Sequence, residues 1–178
     1  MQNDEQIMMA VAGGDLKQLS VLFDKYNIRL YNFFYKMNYN QALSEDLTQN
    51  VFERMIKYKQ SFDGNNAFIP WMFRIARNVN ADHFKSIKLK MSSNIEVHEL
   101  DRQEDAIDDL DSQKSLLKRA MKMLSEDYRE VLLMTRFQGL QYREVADVLQ
   151  CSESNVKTRV HRAIKALRKE YLKLETIS

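Results

Sequence analysis

The apolar residues of this chain recur at spacings of three and four along most of its length, the pattern of helices that each bury one stripe. Alternating runs bounded by turn residues, which would mark strands, do not occur, and one Pro with four Gly leaves few breaks. The pattern predicts an all-α protein. A long helix is expected from about residue 14 to residue 37, with Leu16, Leu19, Phe23, Tyr26, Leu30 and Phe33 or Phe34 as its stripe. A second should begin after Ser44 as N-cap, with Glu45 and Asp46 against the helix dipole. It turns Leu47, Val51, Met55 and Tyr58 inward and leaves Asp46, Gln49, Asn50, Glu53 and Arg54 outside, a face open to solvent or to a protein partner.

Residues 61–66 read as a loop. A third helix follows from Phe68, with Pro70 in its first turn, where a missing N–H costs little. Trp71, Ile75 and Val79 mark one inward row and Met72 with Ala76 the next, so Trp71 reads as core rather than as a base-stacking platform. The opposite face gathers Arg74, Arg77, Asn78 and Lys85, cations around an amide able to read a base edge.

Near the C-terminus two short amphipathic helices meet across a tight turn. Val145, Ala146 and Leu149 line the first, and Val156, Val160, Ala163, Ile164 and Leu167 line the second. Ser152 can cap the second helix, and Glu153 complements its dipole. The unit reads as a helix-turn-helix. Asn155, Thr158, Arg159 and Arg162 project from one side of its second helix, where a major groove would accept them, with Lys157, His161 and Lys165 around them. Between residues 154 and 169 every Asp, Glu, Lys or Arg position is basic. A merely solvated face mixes signs, so the run favours a polyanion partner.

Composition bounds the rest. At 178 residues and 44% apolar content the chain can form packed cores. Its net charge of +2 hides a division: +3 over residues 1–91, −7 over residues 92–112 and +6 over residues 113–178. The middle segment, rich in Asp and Glu with few large apolar residues, reads as a flexible acidic linker between two small helical domains. The single cysteine, Cys151, excludes an internal disulfide and reads as packing in a reducing cytosol. There is no basic-then-apolar leader and no apolar run of membrane-spanning length, so a cytoplasmic protein without membrane insertion is expected. His83, His98 and His161 lack metal-ligand spacing and no Gly-rich phosphate loop is present. No cofactor, no metal and no enzymatic activity, nuclease activity included, are therefore expected.

Several motifs stand in register along the chain. They are the segment from Asp46 to Arg54, the segment from Phe68 to Asn78 with Asp82 after it, the acidic gap, the segment from Leu124 to Leu133 and the helix-turn-helix. Together they resemble the bacterial RNA polymerase sigma factors of the extracytoplasmic-function, sigma-70-like group, over nearly the whole chain. The resemblance implies that residues 1–91 form sigma domain 2, which binds core polymerase and melts the minus-10 promoter element. Residues 113–178 would form sigma domain 4, which reads the minus-35 element. Carried over, Asp46, Leu47, Gln49, Phe52 and Arg54 fall on the polymerase-binding helix. Asn78 falls on a residue that holds a flipped minus-10 base, with Arg74, Arg77 and Lys85 on nearby phosphates. Asn155, Lys157, Thr158, Arg159, Arg162 and Lys165 fall on the minus-35 helix.

The implied partners are core RNA polymerase, promoter DNA and an anti-sigma factor. Asn50 departs from the family's more usual Glu, Gln141 from a Ser or Thr cap, and Gln150 from a turn Gly. Positive φ at Gln150 would cost about 1 kcal/mol. The other reading is a helix-turn-helix regulator that is not a polymerase subunit. Such proteins usually carry an α/β domain in front, and the front half here offers no strand pattern.

Overall fold

A computed structural model of the chain describes residues 2–92 and 112–177, and among them every regular element is helical. The chain divides into two compact units, Met1–Arg102 and Gln103–Ser178, each with its own core. The expected linker, residues 92–112, lies outside the described residues except at its two ends, which close one helix and open the next. Among the described residues no helix is long and apolar enough to cross a membrane.

The first unit starts with a helix that the apolar pattern did not announce, α1 (Asp4–Ala12). Its start is nonetheless encoded locally. Asn3 Oδ1 accepts the Gln6 N–H at 2.8 Å, and Gln6 Oε1 accepts the Asn3 N–H at 3.1 Å, a capping box. Gly13, Gly14 and Asp15 then turn the chain, with Gly14 at φ 109°, so the long helix α2 (Leu19–Asn38) begins five residues later than expected. Its stripe is corrected accordingly: Leu22, Tyr26, Leu30, Phe33, Phe34 and Met37 are buried, while Leu16 and Phe23 are exposed.

Helix α3 (Gln41–Lys57) starts three residues before Ser44. Asn40 is its cap, accepting the Leu43 N–H at 2.9 Å, and Ser44 is buried inside the helix, its hydroxyl donating to the Asn40 carbonyl at 2.6 Å. Leu47, Val51 and Met55 face inward as expected, but Tyr58 is exposed just past the helix end. The loop forms around Asp63, whose Oδ1 accepts the Asn65 N–H at 2.9 Å. Helix α4 (Phe68–Ser92) then buries Trp71, Met72, Ile75, Ala76 and Val79, together with Phe68 and Phe73. Phe33 meets Phe73 edge-on at 5.3 Å between ring centroids, which ties α2 to α4.

The second unit holds α5 (Ser112–Lys122), α6 (Glu126–Leu132), α7 (Tyr142–Leu149) and α8 (Glu153–Ile177). After α6 the helix widens into one π turn, Leu133–Phe137. Arg129 closes the end of α5: its Nε donates to the Met121 carbonyl at 3.0 Å and its Nη2 to those of Lys122 and Leu124 at 2.7 and 3.0 Å. One guanidinium fork thus binds three carbonyls in and just after the last turn of α5, of which that of Met121 also accepts the Leu124 N–H at 3.2 Å. Helix α8 is not short but 25 residues long.

Candidate nucleic-acid interface

Helices α7 and α8 form the helix-turn-helix. Val145, Ala146, Leu149, Val156, Val160 and Ala163 are buried, with Val148 added to the core, whereas Ile164 is exposed rather than inward. Glu144 reaches back to accept the Gln141 N–H at 2.7 Å, so α7 is closed at its start without a Ser or Thr. Gln150 takes the left-handed conformation, φ 52° and ψ 47°, and its side chain donates to the Asp147 carbonyl at 2.7 Å. The turn therefore accepts about 1 kcal/mol of backbone strain in exchange for a hydrogen bond that glycine lacks. Ser152 caps α8, accepting the Asn155 N–H at 3.2 Å.

Around α8, Asn155, Thr158, Arg159 and Arg162 project within an arc of about 100°, opposite the buried stripe. Asn155, Thr158 and Arg162 are exposed and Arg159 half-buried. The Thr158 hydroxyl donates to the Ser154 carbonyl at 3.0 Å, so toward an outside group it offers lone pairs and a methyl rather than a proton. Lys165 lies at the edge of the arc. Lys157 lies about 140° from Arg162, off the arc on which the other side chains meet.

On α4, Arg74, Arg77, Asn78 and Lys85 share the face opposite the core; Asn78 and Lys85 are exposed, Arg74 and Arg77 half-buried. Beside this face Asp82 pairs with Arg54 of α3 at 2.6 Å, and Arg54 Nε donates to Asn50 Oδ1 at 2.9 Å. The Asn50 departure thus has a local role, because it steadies the arginine that links the two helices.

Helix α3 presents a narrower surface than its sequence suggested. Asp46, Gln49 and Glu53 are exposed, with Gln49 donating to Glu53 at 3.1 Å, and Asn50 and Arg54 are half-buried. Leu47 and Phe52 are buried at 4% and 5% exposure, Phe52 against Phe23 at 4.9 Å between centroids. Their side chains shape the surface from beneath. Behind it His83 stacks edge-on with Phe84, and its Nε2 is buried without a hydrogen bond among the described residues. Burial chiefly, with Lys90 adding to it, holds its pKa below 6.5 against the opposing pull of Asp46.

Sequence reading missed two partly buried polar links in the first unit. Asn38 Nδ2 donates to Asn80 Oδ1 at 2.9 Å, with Asn80 5% exposed. Glu5 Oε1 accepts the Phe68 N–H at 2.9 Å across 63 positions of sequence. Neither leaves a periodic signal. Among the described residues no cluster of His, Cys, Asp and Glu is arranged to hold a metal ion.

Comparison with known proteins matches both halves. The family model for sigma-70 region 2 covers residues 22–89, and that for sigma-70 region 4 covers residues 114–167. The ECF RNA polymerase sigma factor SigW of Bacillus subtilis is 30% identical over 174 residues, spanning 90% of this chain and 92% of the relative. SigX of the same organism is 31% identical over 157 residues, 84% of this chain and 81% of the relative. Among solved structures, the sigma factor RpoE of Bartonella quintana in complex with the anti-sigma factor NepR has a TM-score of 0.70 at 23% identity, covering 88% of this chain and 98% of that one. CnrH in complex with the cytosolic domain of CnrY has a TM-score of 0.72 at 20% identity, covering 98% and 99%. Both likenesses concern the fold.

Proposed function

The chain belongs to the extracytoplasmic-function group of sigma-70 RNA polymerase sigma factors, and from that premise we propose how its two units divide the work of promoter recognition. A sigma factor binds core RNA polymerase and directs it to start transcription at particular promoters. In our reading α8 lies in the duplex of the minus-35 element, with Asn155, Thr158, Arg159 and Arg162 toward base edges and Lys157 and Lys165 toward phosphates. Helix α4 serves the minus-10 element: Asn78 holds an unstacked base, and Arg74, Arg77 and Lys85 neutralise the strand around it. The exposed part of α3, Asp46, Gln49 and Glu53, meets the polymerase.

The observation that carries this reading is the one-sided face of α8. It is polar and basic, it sits opposite a packed stripe, and Ser152 fixes its start. A few bidentate contacts of roughly 1–3 kcal/mol each give one small domain modest specificity. Two domains tethered to one large partner multiply it. An anti-sigma partner that covers the polymerase-binding surface, a cytoplasmic location and the absence of any catalysed reaction belong to the same reading. A regulator that works without polymerase is disfavoured, because the front half matches sigma-70 region 2.

Transcription reconstituted from core polymerase, this chain and a promoter library tests the division. Arg159→Ala should lower selection of the upstream element by about 1–3 kcal/mol and leave affinity for core polymerase unchanged. Loss of both together would overturn it.

A further inference from the structure

The helix that carries Asn78 begins without a cap of its own. Ala67 precedes Phe68 and has no side-chain acceptor, and Pro70 removes one of the first amides. The Phe68 N–H is nevertheless satisfied by Glu5 Oε1 at 2.9 Å. A carboxylate at this place also complements the positive end of the helix dipole. Glu5 does for α4 from a distance what Asn3, Asn40 and Ser152 do locally for α1, α3 and α8.

Glu5 is itself held in place. Its neighbour Asp4 pairs with Lys25 of α2 at 2.7 Å and accepts the Tyr26 hydroxyl at 2.5 Å. Burial first, and that bond second, push the phenol's pKa up, so Tyr26 remains a donor at neutral pH. At the other end of α1 the Gln60 amide donates to the Ala12 carbonyl at 2.8 Å. Met9 lies over Gly64, where a Cβ would come within 3.0 Å of its Sδ. Helix α1 therefore grips α2, the loop before α4 and the first turn of α4 at once.

We infer that Glu5 is a positioning residue for promoter opening: it caps α4 from α1 and sets the start of the helix on which Asn78 acts. The inference rests on the reading of α4 as the promoter-facing helix, and Glu5 itself contacts no DNA in it.

The test uses the full chain with core polymerase and promoter DNA. Glu5→Ala should slow opening about five- to tenfold, accelerate hydrogen exchange at the Phe68 amide similarly, and leave affinity for core polymerase unchanged. Glu5→Gln keeps an oxygen acceptor and should recover most of both. Ala67→Asp, whose carboxylate at the N-cap position can accept the Ile69 N–H and complement the helix dipole, should restore opening in the Glu5→Ala background; a role for Glu5 unrelated to the start of α4 would not respond to a new acceptor at position 67. Unchanged exchange at Phe68 in Glu5→Ala overturns the cap. Failure of the double variant to open promoters while exchange across the first turn of α4 has returned to the parent rate overturns the link to opening. Asn78→Ala in parallel reports on α4 itself: no effect on opening sinks that reading, while exchange at Phe68 still judges the cap.

Discussion

Helices α4 and α8 each turn a basic face outward, but they are supported in different ways. The start of α8 is fixed from within its own turn, by Ser152, and on its outer face Asn155, Thr158 and Arg162 are exposed and Arg159 half-buried. The start of α4 is fixed by Glu5 from α1, and its flank is pinned to α3 by the pair between Arg54 and Asp82. The difference fits the two tasks proposed. A helix that reads an intact groove needs a rigid rod and free side chains. One that holds an unstacked base needs a fixed position relative to the elements around it, because unpairing costs a few kcal/mol and the pocket must already be formed.

The contrast would break if the second unit also depended on one distant clamp, and Arg129 is the place to look. Arg129→Ala removes three bonds to carbonyls around the end of α5, and hydrogen bonds to a charged group contribute about 1.5–3 kcal/mol each, part of which water recovers. A loss of about 3 kcal/mol is expected in the unfolding transition of the second unit, with that of the first unmoved. Arg129→Lys should not restore it, since an ammonium lacks the planar fork. A shift of both transitions would show that the units do not melt independently.

Smaller, and aimed at the local half of the contrast, is Ser152→Ala. Loss of an N-cap costs about 1 kcal/mol. Because the cap lies in the turn itself, the effect should appear as weaker binding of a minus-35 duplex and lower stability of the second unit, with the rate of promoter opening on duplex DNA at saturating polymerase unchanged. Slower opening at saturation would mean that α8 also supports the melting step.

These same differences decide what was legible in the sequence. The stripes of α4, α7 and most of α8 follow a 3.6-residue period, and the Ser152 cap and the left-handed Gln150 are local in sequence, so each could be read directly. The start of α2 could not, because the two glycines and Asp15 interrupt a run whose apolar spacing continues through them; Leu16 and Phe23 fit the period yet lie exposed. Ser44 is a good cap by type, but Asn40 offers the same chemistry one turn earlier and the helix starts there. The polymerase-binding role of Leu47 and Phe52 came from resemblance alone, which transfers positions without telling which side chains point outward, although the apolar period turns Leu47 inward. The Glu5 and Asn80 contacts join residues far apart in sequence, and no local pattern encodes such a pair.

The smallest expected effect is one of pH and falls on the first unit. His83 sits behind the α3 surface with Asp46, Phe84 and Lys90 as neighbours, and burial holds its pKa in the fold below 6.5. The unfolded chain therefore takes up a proton at that position before the folded chain does, so stability is whole above the unfolded value and declines as pH falls below about 6.5 toward the folded pKa. His83→Gln removes that group, and the first unit's transition should then lose less between about pH 7 and pH 5 than in the parent chain. The second unit's transition should respond identically in the two proteins, since His83 lies in the first. If the acid sensitivity of the first unit is the same with and without His83, the buried imidazole is not its source.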